Sequence, residues 1–394
     1  KFFESYLSYG EGVCIAFINS YANAANEQQA AEIVRSVWLN AHITVSSCIL
    51  PEIREFERVS TSVLNAYLQP RMAQYLKTLD KQMRSQAFKG DILIVQSNGG
   101  LMSLTSAADQ PVRTALSGPA AGVIAANFIG HSAGFNDIVT CDMGGTSFDV
   151  SLIASGSSAL AAQTAIDFGM VVRMPMIEIN TIGAGGGSIA WIDGAGLLQI
   201  GPQSAGSNPG PACYGLGNEN PTVTDANLVL GRINANKPIG GKLDRLKIEF
   251  ARRSIKEKIG DPLAISDMEA AEAIIQVANA RMAGAIRIVS IERGHDPAKF
   301  TAMPFGGGGA LHIGALIAEV GLKSGLVPRY PGVTSALGCV IADMRHDAVK
   351  TINRLLSDLD FEKLSDWVDD LWQACQTRIV GSRDLVVDEI SEEK

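Results

Sequence analysis

The chain has 394 residues, 46% of them hydrophobic, and a formal net charge of −8, enough apolar material for two or three packed domains. Lys and Arg are scattered and outnumbered, so there is no electrostatic footprint for nucleic acid or an anionic membrane. The long uncharged run at residues 114–136 is broken by Gly, Pro, Ser, His and Asn, which argues against a membrane span.

The chain opens without Met, signal peptide or transit pattern and falls at once into the apolar run GVCIAFI, a strand candidate. Helix EQQAAEIVRSVWLN and strand HITVSS follow, and then the long helical pattern STSVLNAYLQPRMAQYLKTLDKQMRSQAF, expected to kink at Pro70. Strand DILIVQS precedes helix LSGPAAGVIAANFIG, in which Ser117 reads as an N-cap. Five further strand candidates come next: DIVTCDM, SFDVSLI, IEINTIG, SIAWID and LLQIG. Residues 201–225 form the only long stretch of loop composition, the kind of loop that is often functional, and Asp225 reads as a helix N-cap at its end. Helices MEAAEAIIQVANARMAGAIRIVSIERG and ALHIGALIAEVG, with strand SGLVP, complete the middle of the chain. Short apolar runs alternating with helical patterns give an α/β class. We expect residues 1–58 to be the remnant of an N-terminal domain, 59–350 the main domain, and 351–394 the start of a truncated C-terminal region.

Six widely spaced cysteines, without a CxxC, read as reduced and mostly buried thiols of a cytoplasmic protein. His295 and His312 lack metal-ligand spacing and read as structural.

The stretch CDMGGTSFDVSLI, residues 141–153, carries the most chemistry. Its plain reading is a β-hairpin whose tight turn uses Gly144 and Gly145 for positive φ. The same few residues also offer bare backbone amides, the hydroxyls of Thr146 and Ser147, and the carboxylate of Asp142. Together these make an anion-binding concavity with a ligand for Mg²⁺. It is not a Walker loop, because no GxxxxGK[ST] occurs. Asp149 reads as a turn cap or a solvated side chain.

DMGGTSFDVSLI resembles the second phosphate-binding hairpin of the actin, sugar kinase and Hsp70 superfamily. LPEIREFERVSTSVLNAYLQP, QSNGGLMS, RTALSGPAAGV, NTIGAGGGSIAWID, GPQSAGSNPGPACYG, PTVTDANLVLGR, SIERGHDP, FGGGGALH and PGVTSALGCVIADMRHD resemble the hydantoinase A and 5-oxoprolinase family. The resemblance implies a ribonuclease-H-like actin and sugar kinase ATPase fold, with the N-terminal portion and its own Asp-Gly-Gly turn absent. A chain beginning at Lys1 would then bind nucleotide weakly and turn nothing over.

The activity implied is ATP-dependent ring opening of a cyclic amide of the hydantoin, N-methylhydantoin or 5-oxoproline type, through phosphorylation of the amide oxygen. ATP and Mg²⁺ are the implied cofactors, and a hydantoinase B-type subunit or fused domain the implied partner in an oligomer. By the same resemblance Asp142 would hold Mg²⁺ or order the phosphoryl-transfer geometry, while Gly144, Gly145, Thr146 and Ser147 would cradle phosphates. Gly185, Gly186, Gly187 and Ser188 of GAGGGS would line the cleft near the transferred phosphate, although a packing crossover of two backbones explains the same glycines. Gly306, Gly307, Gly308 and Gly309 resemble the adenosine motif, with Ala310 where the family usually has Pro, which leaves the helix start open. Asn98 and Ser117 are further residues that could face substrate or nucleotide. Two other readings stay open: a ketone carboxylase subunit of the acetophenone type, and a non-catalytic actin-like fold that binds ATP to set its conformation. Retention of GAGGGS and NPGPACYG favours the hydrolase.

Overall fold

The structure is a computed structural model and describes residues 10–38, 40, 42–165, 169–238 and 243–380. Two compact units emerge, neither of them continuous in sequence. One gathers the described residues up to Ala120 with Leu160–Ile177 and those from Ala342 on, and the other holds Ala121–Ala159 and Glu178–Ile341.

The first unit starts with a βαβ element. Strands Val13–Ile15 and Ile43–Val45 pair in parallel and helix Ala25–Val37 connects them. Ala31, Val34 and Trp38 bury against Ile15 and Val45. Beside it, helix Glu55–Ser85 continues through Pro70. The face of that helix near its start is buried and polar: the Arg58 guanidinium donates to the carbonyls of Glu52 (2.9 Å) and Phe17 (2.8 Å) and to Ser46 Oγ. Asn98, expected near a ligand, is instead tied down within this unit. Its Nδ2 donates to Asp347 at 2.5 Å and its Oδ1 accepts from the Gly100 amide at 2.9 Å. The antiparallel pair Leu160–Ala165 and Val171–Ile177, absent from the sequence reading, packs on the long helix through Ser60 and Thr61.

The second unit is organised by one mixed sheet. Its main strands are β1 (Ile138–Met143), β2 (Phe148–Ala154), β3 (Asn180–Ile182), β4 (Thr301–Phe305) and β5 (Ser324–Gly325), and a sixth, short strand, Ser157–Ser158, pairs with β2. Their order is β3-β2-β1-β4-β5, with β1 to β3 antiparallel and β4 and β5 parallel to β1. This mixed order agrees with a ribonuclease-H-like expectation. β1 is central, and its near-continuous apolar run IVTCDM is buried at every position but Asp142, as a strand covered on both faces requires. β4 was missed as a strand because Pro304 interrupts a short run. Pro304 lies beyond Thr301 and Ala302, the two residues that pair with β5, where a missing N–H is tolerated.

Helix Asp267–Val289 packs on β2 and on the ribbon formed by Ser188–Ile192 and Leu198–Ser204. Its start is fixed by a capping box: Ser266 Oγ accepts from the Glu269 amide, and the Glu269 carboxylate accepts from the Ser266 amide. This helix is long and apolar enough to cross a membrane, but Ile274, Ile275, Met282 and Ile286 are buried in the unit's core. His295 stacks edge-on against Phe300 at 5.6 Å, a packing role. Of the six cysteines only Cys141 and Cys213 are fully buried, and Cys48 and Cys339 are exposed. The expectation of mostly buried thiols is therefore corrected.

Candidate active site

β1 ends at Met143 and β2 begins at Phe148, leaving Gly144–Ser147 as the turn, closed by the Gly144 amide donating to the Ser147 carbonyl at 3.1 Å. Neither glycine adopts the left-handed φ region, which corrects the sequence argument for their presence. Nor does packing exclude a side chain: a Cβ on Gly145 would meet nothing within 4 Å, and one on Gly144 only the Ser147 carbonyl oxygen at 4.0 Å. Their bareness instead leaves open space above the turn. That space is a cleft of about 230 Å³ reached by Met143, Gly144, Gly145, Gly186, Gly307 and Gly308.

The GAGGGS loop explains which way the turn faces. The amides of Gly185, Gly186 and Gly187 donate to the carbonyls of Thr146 (3.3 Å), Gly144 (3.0 Å) and Gly145 (2.6 Å) respectively. In a trans peptide the carbonyl and the following N–H point in opposite directions. With three successive carbonyls held by the loop, the N–H groups of Gly145, Thr146 and Ser147 are directed to the other side. None of them donates to another group among the described residues. Three successive amides turned away from the loop and without a partner among the described residues are the groups from which an anion nest can be made.

The glycines of the loop, unlike those of the turn, are required by contact. A Cβ on Gly185 would lie 2.6 Å from the Thr146 backbone, and one on Gly187 2.9 Å from the Gly145 carbonyl oxygen. The loop is thus the backbone crossover that the plain sequence reading describes, and only Gly186 of it reaches the cleft wall. Ser188 is fully buried beneath, its Oγ without a partner. In the turn itself, Thr146 is exposed, whereas the Ser147 hydroxyl is engaged with Asp149 at 3.0 Å.

Asp142 sits one residue before the end of β1, in register with Asp149 of β2 on one side and Phe305 of β4 on the other. Burial, and then the neighbouring Asp149 charge, push its carboxyl up to about 6, with the Ser335 hydroxyl at 3.4 Å opposing the shift. Gly306 explains how β4 can end here: at φ +78 its own Cβ would strike the Asp142 carboxylate, and would lie 2.5 Å from the Met143 carbonyl oxygen. The Gly308 amide donates to that carbonyl at 3.0 Å, and helix Gly309–Val320 begins directly after it. Ala310 in place of Pro therefore leaves the helix start intact. Gly307 faces open space within the cleft, and Gly309 packs against the Cys141 carbonyl oxygen.

Opposite the glycines the wall is built from Tyr214, Thr224, Asn227, Ile233, Leu311 and His312. Asp225 shapes this wall from behind. Thr222 is the N-cap of helix Val223–Val229, and Asp225, expected there, stands three residues inside it in a capping box. Its buried carboxylate also accepts from the amides of Ala212 (3.1 Å) and Cys213 (2.8 Å), so one side chain pins the 201–225 loop to the helix. Burial raises the Asp225 carboxyl above its ordinary range, against the pull of these hydrogen bonds.

His312 is buried and held between two asparagines, with Nδ1 2.7 Å from Asn279 Oδ1 and Nε2 3.2 Å from Asn227 Nδ2. Burial, with Arg232 nearby, lowers it to about 4, so it is neutral at pH 7. Sequence reasoning read His312 as structural, whereas it also lines the cleft, and it missed both asparagines.

The residue set fits a nucleoside triphosphate: a nest of amides over bare glycines, with an adjoining cleft whose wall is part apolar and part polar. For a divalent cation the fit is of one kind only. Among the described residues no group of three or more His, Cys, Asp or Glu could hold an ion, but Asp142 is a single half-buried carboxylate beside the nest. Mg²⁺ commonly takes one or two carboxylates and completes its shell with phosphate oxygens and water.

Known proteins can now be set beside this geometry. The family model described as hydantoinase/oxoprolinase matches residues 58–348. The caprolactamase α subunit of Pseudomonas jessenii is 38% identical over 372 residues, which cover 94% of this chain and 53% of the relative. The acetophenone carboxylase γ subunit of Aromatoleum aromaticum is 33% identical over 392 residues, covering 96% and 53%. The crystal structure of the ATP-dependent caprolactamase of Pseudomonas jessenii matches with a TM-score of 0.82 at 36% identity, over 96% of this chain and 55% of that one. The chain thus spans about half the length of the relatives it matches. With matches of this extent and a shared α/β, actin-like ATPase fold, the chain belongs to the hydantoinase/oxoprolinase family.

Proposed function

We propose that the chain is the ATP-using part of an enzyme that opens a cyclic amide by phosphorylating the amide oxygen. The observation that carries this reading is the anion nest formed by the Gly145, Thr146 and Ser147 amides beside Asp142. Family membership, and the similarity to caprolactamase in particular, supports the substrate class.

An unstrained lactam is a poor electrophile, and transfer of the γ-phosphoryl group to its carbonyl oxygen makes the ring carbon susceptible to water. One water adds to that carbon and the ring nitrogen leaves with a proton, giving an acyl phosphate. A second water releases the phosphate, which carries away the former carbonyl oxygen. The part of this chain is to hold and orient. The free amides hold phosphate oxygens, and their preorganisation by the Gly185–Gly187 amides means that no reorganisation is needed when charge develops. Asp142 is placed to hold Mg²⁺, which would supply charge neutralisation on the phosphates. The glycines 306–309 support the nucleotide, and Gly307 leaves room for its approach. A partner of the hydantoinase B type would supply the water-handling site, since the relatives are named as subunits of larger enzymes. We place the assembly in the cytoplasm, in keeping with six widely spaced cysteines without a CxxC.

The acetophenone carboxylase similarity favours one second reading, activation of a ketone and bicarbonate on the same ATP site. Phosphate release by the protein with its B-type partner, compared across hydantoins, 5-oxoproline, caprolactam, and an aromatic ketone with bicarbonate, separates the two. Stimulation by a cyclic amide alone supports ring opening. Stimulation only by ketone with bicarbonate replaces it with carboxylation, and release indifferent to both points to a conformational ATPase.

A further inference from the structure

Asn227 lines the cleft, is 2% exposed, and carries a buried Oδ1 with no hydrogen-bond partner. Buried acceptors are seldom left unmade, because the desolvation cost is not returned. Its amide cannot be turned round to remove the defect. Nδ2 donates to the Val223 carbonyl at 3.1 Å, and an oxygen in that position would face another oxygen. The second partner of Nδ2, His312 Nε2, must then be an acceptor. That requires the proton of the neutral imidazole to be on Nδ1, where it donates to Asn279 Oδ1 at 2.7 Å. The Asn279, His312 and Asn227 relay thus fixes the orientation of the Asn227 amide and leaves its oxygen as the one unspent acceptor in the relay.

The location narrows what could use that oxygen. Thr224, one helical turn earlier, donates through Oγ1 to the Gly186 carbonyl at 2.8 Å, and Gly186 in turn holds the phosphate turn. Asn227 therefore lies about 4.5 Å further along the helix from the phosphate end, against His312 and in a cleft that Leu311, Ile233 and Tyr214 also line. A phosphate presents only acceptors and would be repelled there. The nucleoside part of a nucleotide presents donors: the ribose hydroxyls and the 6-amino group of adenine.

We propose that Asn227 Oδ1 accepts a hydrogen bond from the nucleoside part of the bound nucleotide, with His312 and Asn279 as positioning residues. This rests on the nucleotide reading of the cleft and adds to it a determinant of nucleoside recognition.

The test begins from the ligand side, which leaves the fold undisturbed. Calorimetric binding of ATP to the wild-type chain is compared with 2′-deoxy-ATP, 3′-deoxy-ATP and inosine triphosphate, the last having an oxygen in place of the 6-amino group. One of the three should bind about 3- to 10-fold more weakly, the size of one neutral hydrogen bond, and which one identifies the donor. In Asn227→Ala, with folding checked by its melting curve, that penalty should disappear while the other analogues keep their ranking. Equal binding of all three analogues and ATP to the wild type would overturn the inference, as would a penalty that persists in Asn227→Ala. In both cases ATP binding itself would still stand. Failure of ATP to bind at all would remove the nucleotide reading and this inference together.

Discussion

Asp142 and Asp149 are register partners across the hairpin, two carboxylates on one face with separate hydroxyl donors: Ser335 for the first at 3.4 Å, Thr181 and Ser147 for the second at 2.5 and 3.0 Å. Like charges placed directly opposite in a sheet are unfavourable. Together with burial, this opposition pushes the Asp142 carboxyl up to about 6.

A pH dependence follows. The Asp142 carboxyl is raised in the folded state, so its contribution to stability is present below the unfolded value and is lost as pH rises through about 6. At pH 7 Asp142→Asn should therefore stabilise the nucleotide-free chain, by on the order of 1–3 kcal/mol. The same substitution should abolish MgATP-dependent turnover. Melting curves at pH 5 and pH 7 read the first effect, which should shrink toward pH 5. In the wild type Mg²⁺-dependent ATP binding should strengthen as pH rises through 6. A variant that is less stable at pH 7 than the wild type contradicts this account of Asp142.

Glycines of the turn and of the supporting loop should behave differently. Gly145→Ala puts a methyl into open space at an ordinary φ, so stability should change by less than about 0.5 kcal/mol while nucleotide binding falls at least tenfold. Gly185→Ala forces a Cβ to within 2.6 Å of the Thr146 backbone and should destabilise by about 1–3 kcal/mol. Denaturant melts alongside ATP binding distinguish the two. If Gly145→Ala melts early, the turn glycine is required by the fold and not by a ligand.

Asp225 should act on the site through the loop. Asp225→Ala leaves the buried amides of Ala212 and Cys213 without their acceptor, at a cost of about 2–5 kcal/mol. Proteolysis should then cut within residues 201–225 before the rest of the chain unfolds. Resistance there equal to the wild type would show that the loop is held by other contacts.

The hairpin was legible because two strongly apolar runs flank Asp-Met-Gly-Gly-Thr, a pattern that leaves few alternatives for the chain. The reason for its glycines was not, since φ and the orientation of a peptide plane depend on the GAGGGS loop some forty residues later. The pair Leu160–Ala165 and Val171–Ile177 escaped notice because LAAQTA is largely exposed and carries no burial pattern for a sequence reading to find. Asn227 and Asn279 had a single signal, a polar amide between apolar neighbours, Ala226 and Leu228 for the first and Ala278 and Ala280 for the second. Their meeting at His312 joins positions 33 and 85 residues away from it, which no local pattern encodes.

The central claim is phosphorylation of the amide oxygen, and isotope transfer tests it most directly. A lactam labelled with ¹⁸O at its carbonyl is turned over with MgATP by the protein and its partner, and the released phosphate is examined by ³¹P NMR. The account predicts one labelled oxygen in the phosphate for each ring opened, and no transfer with Asp142→Asn. Ring opening with unlabelled phosphate would contradict it.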